Sequence, residues 1–385
     1  MRPDLRKLLG KELHSLREEQ GFTLQALSFI SKKDEKQILN MERDGGNYTI
    51  SEWNDVLSAM GFRLGIVNID NCSVPDCLEP LHRKKKVVMI IGNGFDMDLG
   101  LRTSYWAFAE STYWPFKDNF IRMPDYSEPI YSKLAEELNK EKKRWCDFEE
   151  ALRQYGMRIY EEYGNKYPDA KIDEYVLKAF RLALKSYLKS VENNYFANSE
   201  LIAKSHNTAA AIVIKEMIDV EASIYSFNYT DTEKLIYYST TPIPTKDDFE
   251  KWASENRNIF QVHGTLYSNN IVLGVEEDCM IPDNLFFLKK VAQHDFRETN
   301  LLSDLQDADK VVFFGHSLGN IDAYYFQNFF EMLSDQITQT KKEILFYTYD
   351  EKSIQQLKLN IEKMTRGKLL QFTNNNYVEF VMTKR

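Results

Sequence analysis

Four short stretches of this 385-residue chain carry residue types suited to chemistry, and each follows an apolar run. They are Gly92-Asn93-Gly94-Phe95-Asp96, Asn228-Tyr229, His263-Gly264, and Gly315-His316-Ser317, which continues to Asp322. Glycine turns let backbone N–H groups approach a ligand closely. At the first strand of an α/β sheet, that ligand is usually a phosphate or nucleotide. An asparagine can orient a ligand, and a histidine with an unperturbed pKa of roughly 6.5 suits acid–base work near neutrality. Ligands of open α/β sheets sit outside the carboxyl ends of the strands, so the four polar tips predict one shared crevice.

Familiar motifs narrow the chemistry. Gly92-Asn93-Gly94 begins like G-x-G-x-x-G, but Met97 takes the last glycine position, so the usual dinucleotide fingerprint fails. No G-x-x-x-x-G-K-(S/T) phosphate loop is present. Gly315-His316-Ser317-Leu318-Gly319 fits the nucleophile-elbow pattern G-x-S-x-G. That fold places its histidine after the serine, whereas His316 is the last of six histidines here. A serine-hydrolase reading is therefore disfavoured.

The elements that must position these tips are apolar strands alternating with helices. Strands are expected at 86–91, 222–227, 258–262, 271–275, 311–314, 344–347 and 377–382. Helices are expected at 102–109, with Thr103 or Ser104 as cap, through Leu235, to about Leu333, and over 354–364. This alternation predicts a doubly wound, mostly parallel α/β sheet over 86–385. A charged, aromatic stretch at about 110–220 reads as a helical insertion. Within it Trp145, Phe148 and Leu152 share one helix face. The carboxylates Asp147, Glu149 and Glu150 then read as a solvated face, with Asp147 or Glu149 able to turn into a site.

Residues 1–70 read as a separate small all-α domain, and 71–85, aperiodic and carrying two prolines, as a linker. Gly21 closes one helix, Thr23 caps the next, and Ser51 opens another. "Leu-Arg-Glu-Glu-x-Gly-Phe-Thr" at 16–23 and "Glu-Arg-x-Gly" at 42–45 resemble the XRE/Cro-like helix-turn-helix family. In that family the third helix reads the major groove. The resemblance makes Lys32, Lys33, Lys36, Gln37 and Asn40 candidate DNA-binding residues. Asp34 and Glu35 lie in the same presumed helix, so a helix-turn-helix used for protein contacts remains an equal alternative.

A hydrophobic fraction of 43%, with 24 Phe and 22 Tyr, argues for a sizeable core and against disorder. The net charge of −9 excludes a chain that binds nucleic acid by overall electrostatics. Four cysteines are too few for a disulfide scaffold, and Cys72 and Cys77 have no second Cys/His pair nearby to complete a zinc site. Without a signal segment or long apolar run, the expected location is the cytoplasm, with no membrane partner.

"Ile-Ile-Gly-Asn-Gly-Phe-Asp" at 90–96, "Leu-Gly-Leu-Arg-Thr-Ser-Tyr" at 99–105, the 145–149 segment and the 315–322 segment resemble the bacterial abortive-infection AbiH family. That resemblance implies a role in defence against bacteriophage, over about residues 86–385. The order of the tips is also similar to that of sirtuin-like NAD-binding domains. Gly92 and Gly94 match the glycine turn, Asn228 the asparagine and His263 the histidine before glycine. Gly315, Ser317 and Asp322 match the closing segment. Asn93 replaces a small residue, Asp96 a common serine and Thr230 an aspartate, and one extra residue precedes Asp322.

The resemblance implies hydrolysis of the N-glycosidic bond of NAD, or of a related nucleotide, with no cofactor or metal required. Asn228, His263 and Asp96 would be catalytic, with His263 as general base. Gly92, Asn93, Gly94, Phe95, Gly315, His316, Ser317 and Asp322 would bind the nucleotide, the amides of 92–94 cradling its diphosphate. Other expected partners are DNA through the N-terminal domain, a phage-derived trigger and a second copy of the chain. Two alternatives stand: a DNA-binding regulator with a nucleotide-sensing domain, and a nuclease acting on RNA or DNA.

Overall fold

The computed structural model describes residues 3–44, 48–64, 78–80, 85–116, 119–141, 148–255, 258–267, 271–293, 300–335 and 341–384. The chain divides into two compact units, Met1–Lys85 and Lys86–Arg385.

The first unit holds helices α1 (Pro3–Glu19), α2 (Leu24–Ser31), α3 (Glu35–Asp44) and α4 (Ile50–Ala59). Local chemistry sets their starts. The Thr23 hydroxyl accepts from the Ala26 amide, and Asp34 accepts from the Gln37 amide. Thr49, not Ser51, caps α4, in a reciprocal box with Glu52. Leu13, Leu27, Ile38, Trp53 and Val56 fill the core. A buried pair, Arg17 Nε to Glu42 Oε1 at 2.6 Å, joins α1 to α3. Strand β1 (Phe62–Leu64) pairs antiparallel with β2 (Leu78–Pro80), so part of the stretch expected as a plain linker is a strand. Cys72 and Cys77 lie outside the described residues.

In the second unit, β3 (Val87–Ile91) is buried at all five positions, as a central parallel strand must be. After it come α5 (Asn93–Asp98), α6 (Tyr105–Ala109), a hairpin of β4 (Phe120–Ile121) and β5 (Ile130–Tyr131), and α7 (Lys133–Glu141). Then follow α8 (Phe148–Tyr163), α9 (Ala170–Phe196), α10 (Ser199–Ser205) and α11 (Ala209–Asp219). Strand β6 (Ser223–Ser226) leads to α12 (Thr232–Thr240), α13 (Lys246–Glu255) and β7 (Ile259–Gln261). Next are α14 (Leu301–Asp307), β8 (Lys310–Phe314), α15 (Ala323–Asp335) and β9 (Glu343–Thr348). The chain closes with α16 (Glu351–Met364), α17 (Leu369–Asn375) and β10 (Tyr377–Met382).

Six strands form one sheet in the order β10-β9-β8-β3-β6-β7, every neighbouring pair parallel. Numbered by their sequence within the sheet, this is the 3-2-1-4-5-6 order of doubly wound sheets, reversing between β3 and β8. One face packs Val87, Met89 and Ile91 against Ala211, Ile214 and Leu235 of α11 and α12. The other packs Val88 and Ile90 with Phe326 and Phe330 of α15 and Ile361 of α16. The α/β class expected from sequence is the class observed.

Two expectations shift. Helix α11, inside the 110–220 stretch, covers the sheet as the crossover into β6, so the inserted layer ends before it. Residues 271–275 join no sheet; Leu273 and Val275 pack into the aromatic core around Phe108, Phe148, Tyr155 and Phe180. Val275 exchanges backbone bonds with Leu288 and Lys290 instead. A short, wholly apolar run has no period that tells a strand from a buried extended loop.

Candidate functional site

The reversal point lies between β3 and β8, and the turns leaving these strands interlock there. The Gly92 amide donates to the Phe314 carbonyl, the Gly94 amide to the Gly315 carbonyl, and the Phe95 amide to the Gly92 carbonyl. A Cβ on Gly94 would stand 2.5 Å from Gly315 Cα, and one on Gly92 would stand 2.6 Å from His316 Cα. Glycine is needed because two backbones touch. Of the 92–94 amides expected to face a nucleotide, those of Gly92 and Gly94 are therefore already bonded within the protein. Asn93 is exposed, and its side-chain oxygen accepts from Thr103 at 2.6 Å.

Asp96 is drawn inside, 1% exposed, beneath this turn. Its Oδ1 accepts from Asn228 Nδ2 at 2.7 Å and its Oδ2 from Thr230 Oγ1 at 2.7 Å, both beyond the end of β6. Asn228 Nδ2 also reaches the Gly92 carbonyl at 3.1 Å, clamping the tips of β3 and β6 together. Burial pushes the Asp96 carboxyl up to about 7, outweighing the two hydrogen bonds. Buried Glu192 of α9 adds to the rise, and is itself held by the Asp231 amide and the Tyr267 hydroxyl.

His263 belongs to a different cluster. Phe227 and Tyr229 flank Asn228 in sequence, and their rings lie against His263 at centroid distances of 5.1 and 6.2 Å. The Asn228 side chain reaches Asp96 while its neighbours pack on His263, so the expected trio divides into two adjoining groups. His263 Nε2 lies 3.3 Å from Lys290 Nζ and 3.5 Å from Asp322 Oδ1. An ammonium only donates, so Nε2 presents its lone pair to Lys290 and the ring proton rests on Nδ1. Burial, then the Lys290 charge, pushes the imidazole down to about 3. His263 is therefore a neutral ring with its lone pair engaged, a poor general base.

Lys290 Nζ also lies 3.3 Å from Glu149 Oε1 and 3.2 Å from Asp322 Oδ1. The remaining Asp322 oxygen meets His316 Nε2 at 3.5 Å, while His316 Nδ1 accepts from the Leu318 amide. Burial would raise Asp322, but Lys290 and then the two histidines hold it well below the usual carboxylate range. Its side chain is 17% exposed, against 2% for Lys290 and 4% for His263. Asp322 is thus the ionised member that a ligand can reach.

Sequence reasoning missed Lys290 altogether, since it stands in no strand tip and follows Lys289 like one of a solvated pair. Glu149 turns out to be buried, binding Lys290 and the Gly274 amide, while Glu150 pairs with Arg153. Trp145 and Asp147 lie outside the described residues. Ser317 is exposed, and positive φ falls beside it on Gly315 and Leu318, not on the serine as a strained elbow would require. Both ring nitrogens of His316 have partners of their own, so it does not serve Ser317 as a base.

In the first unit, Lys32 and Lys36 are exposed and Asn40 half-buried. Lys33 instead pairs with Asp55 at 3.0 Å, and the Gln37 side chain bonds the Asp34 amide. Among the described residues there is no His/Cys/Asp/Glu group able to hold a metal ion, and no helix is long and apolar enough to cross a membrane.

No curated protein matches the chain. The family model described as bacteriophage abortive infection AbiH matches residues 88–347, from the first strand of the large sheet through β9. That span holds every residue of both clusters, and it covers more than half of the sequence. The chain belongs to the bacteriophage abortive infection AbiH family.

Proposed function

We propose that this abortive-infection protein hydrolyses the N-glycosidic bond of NAD or a related nucleotide at the reversal point of its large sheet. One observation carries the reading: four strand tips meet at the β3/β8 reversal, where such sheets take dinucleotides, and they bring two carboxylates in opposite electrostatic settings. Asp322 is held ionised, suited to face the positive charge of an oxocarbenium-like ribose. Asp96, poised near neutrality, is suited to exchange a proton. In the reaction, a water oxygen bonds to ribose C1′ as the C1′–N bond breaks. The bonding pair leaves on the nicotinamide nitrogen, and the water proton passes to a carboxylate. Asn228 fixes Asp96, and the neutral His263 lines the pocket instead of acting as base. Because Asp96 lies under the Gly92–Gly94 turn, access requires that turn to lift from Gly315.

The test is incubation of the purified full chain with NAD, with and without lysate of phage-infected cells, and chromatography for free nicotinamide. Release is expected, with Asn228→Ala lowering its rate at least about 100-fold, the scale of lost acid–base catalysis. Intact NAD under both conditions overturns the reading.

A second reading is favoured by the exposed Lys32, which caps the end of α2, and Lys36 in the first turn of α3: the first unit is a helix-turn-helix that contacts DNA. Gel-shift affinity for duplex DNA should then fall steeply with salt, and Lys32→Ala with Lys36→Ala should flatten that slope by about two. A salt-independent shift, or none at low salt, removes this reading.

A further inference from the structure

Lys290 opens a short 3-10 turn and is 1% exposed, yet it carries a full positive charge. Its three N–H bonds have three acceptors within 3.2–3.3 Å: Glu149 of α8, Asp322 after β8, and His263 after β7. An ammonium has three donors, so this one is saturated and keeps none for a substrate phosphate. Its own backbone is tied down as well, the Lys290 amide donating to the Val275 carbonyl.

We propose that Lys290 is a positioning residue that locks the Asp322 carboxylate and the His263 imidazole into a single orientation and ties both to the helical layer through Glu149. The catalytic consequence rests on the N-glycosidic reading; the arrangement itself does not. Burial of a lysine is costly unless its charge is matched, and here burial would lower its proton affinity while Glu149 and Asp322 raise it above the ordinary lysine value. The cation in turn determines what its neighbours can be. Around His263 stand Lys290, Asp322 and His316, with Tyr229 and the Tyr325 ring of α15. Of these, Lys290 and His316 disfavour a protonated ring and Asp322 favours it. With Lys290 removed, Asp322 loses its main counter-charge, and His263 is an imidazole 3.5 Å away that can take up a proton to replace it.

The experiment is an imidazole NMR titration of the full chain, with the His263 signal identified by its loss in His263→Gln. In the unaltered protein His263 should stay unprotonated from pH 8 down to pH 5. In Lys290→Met its proton affinity should rise at least about 100-fold, bringing the midpoint into that range, whereas Lys290→Arg should keep the ring neutral. If Lys290→Met does not fold, Lys290→Met with Glu149→Gln removes one carboxylate with the cation and must give the same shift. A His263 that titrates between pH 5 and 8 in the unaltered protein, or that stays neutral in a folded Lys290→Met variant, overturns the proposal. Turnover of NAD is read separately. A titration as stated without any turnover sinks the N-glycosidic reading and leaves the positioning role standing.

Discussion

Replacing Asp96 with Asn is expected to abolish turnover of NAD while making the folded protein more stable at pH 8. The amide has the same shape, and its oxygen can still accept from Asn228 Nδ2, now at 2.7 Å from Asp96 Oδ1. Its NH2 faces Thr230, whose hydroxyl can turn from donor to acceptor. What the variant removes is the titration. The buried carboxyl has its pKa raised to about 7, against about 3.9 for an aspartate in an unfolded chain. Between those values the folded state keeps a proton that the unfolded state has lost, so this group's contribution to stability falls as pH rises. The contribution is complete below about pH 4 and gone above about pH 7, a change on the order of 4 kcal/mol at 1.36 kcal/mol per pKa unit.

Asp173 is also raised to about 7 by burial, so the wild-type curve alone does not isolate Asp96. The difference between variant and wild type does. Urea unfolding of both at steps from pH 4 to pH 8 should show curves that coincide at the acid end and separate toward the alkaline end. A constant difference would mean that Asp96 ionises normally and is not the proton-exchanging group.

The second large effect is expected at Gly315, where alanine should cost about 2–5 kcal/mol. The residue has φ of +63°, and an added Cβ would lie 2.4 Å from Gly94 Cα and 2.5 Å from the Phe95 amide nitrogen. A left-handed alanine costs roughly 1–2 kcal/mol, and prising two packed backbones apart adds about 1–3 kcal/mol. Gly100 provides the control, because it has φ of +99° with nothing within 4 Å of its would-be Cβ. Gly100→Ala should therefore show the conformational cost alone. If denaturation finds Gly315→Ala no worse than Gly100→Ala, the turns after β3 and β8 do not touch as described. A Gly315→Ala variant that still folds despite this cost should also hold Gly94 away from Gly315, and so should admit nucleotide more readily.

Sequence reasoning reached the sheet because burial writes itself into composition. Val87 to Ile91 is apolar on both faces, as a central parallel strand requires. It failed at 271–275, where an equally apolar run packs into the helical layer and bonds to Leu288 and Lys290. Of its expected site residues, Asp96, Asn228, His263, His316 and Asp322 fall in the two buried clusters, since strand tips are recognisable from the apolar runs before them. It placed Asp96, Asn228 and His263 in one trio, which the structure divides by turning the side chain at 228 away from those at 227 and 229. The role given to His263 rested on an unperturbed pKa, which a distant lysine in the chain overrides.

By itself, the sequence determined the alternation of strands and helices, the polar residues that end the strands, and the glycines at 92, 94 and 315. These follow from local rules: apolar period, turn chemistry and the small size of glycine. Only the tertiary structure decided what those residues do. The reversal of strand order between β3 and β8 brings Gly94 onto Gly315, so the glycines serve backbone contact and their amides are engaged. Burial gives Asp96 its near-neutral carboxyl, and Lys290 and Glu149, 141 positions apart, meet over His263 and Asp322. Charge and solvation depend on neighbours in space, and the linear chain does not state which those are.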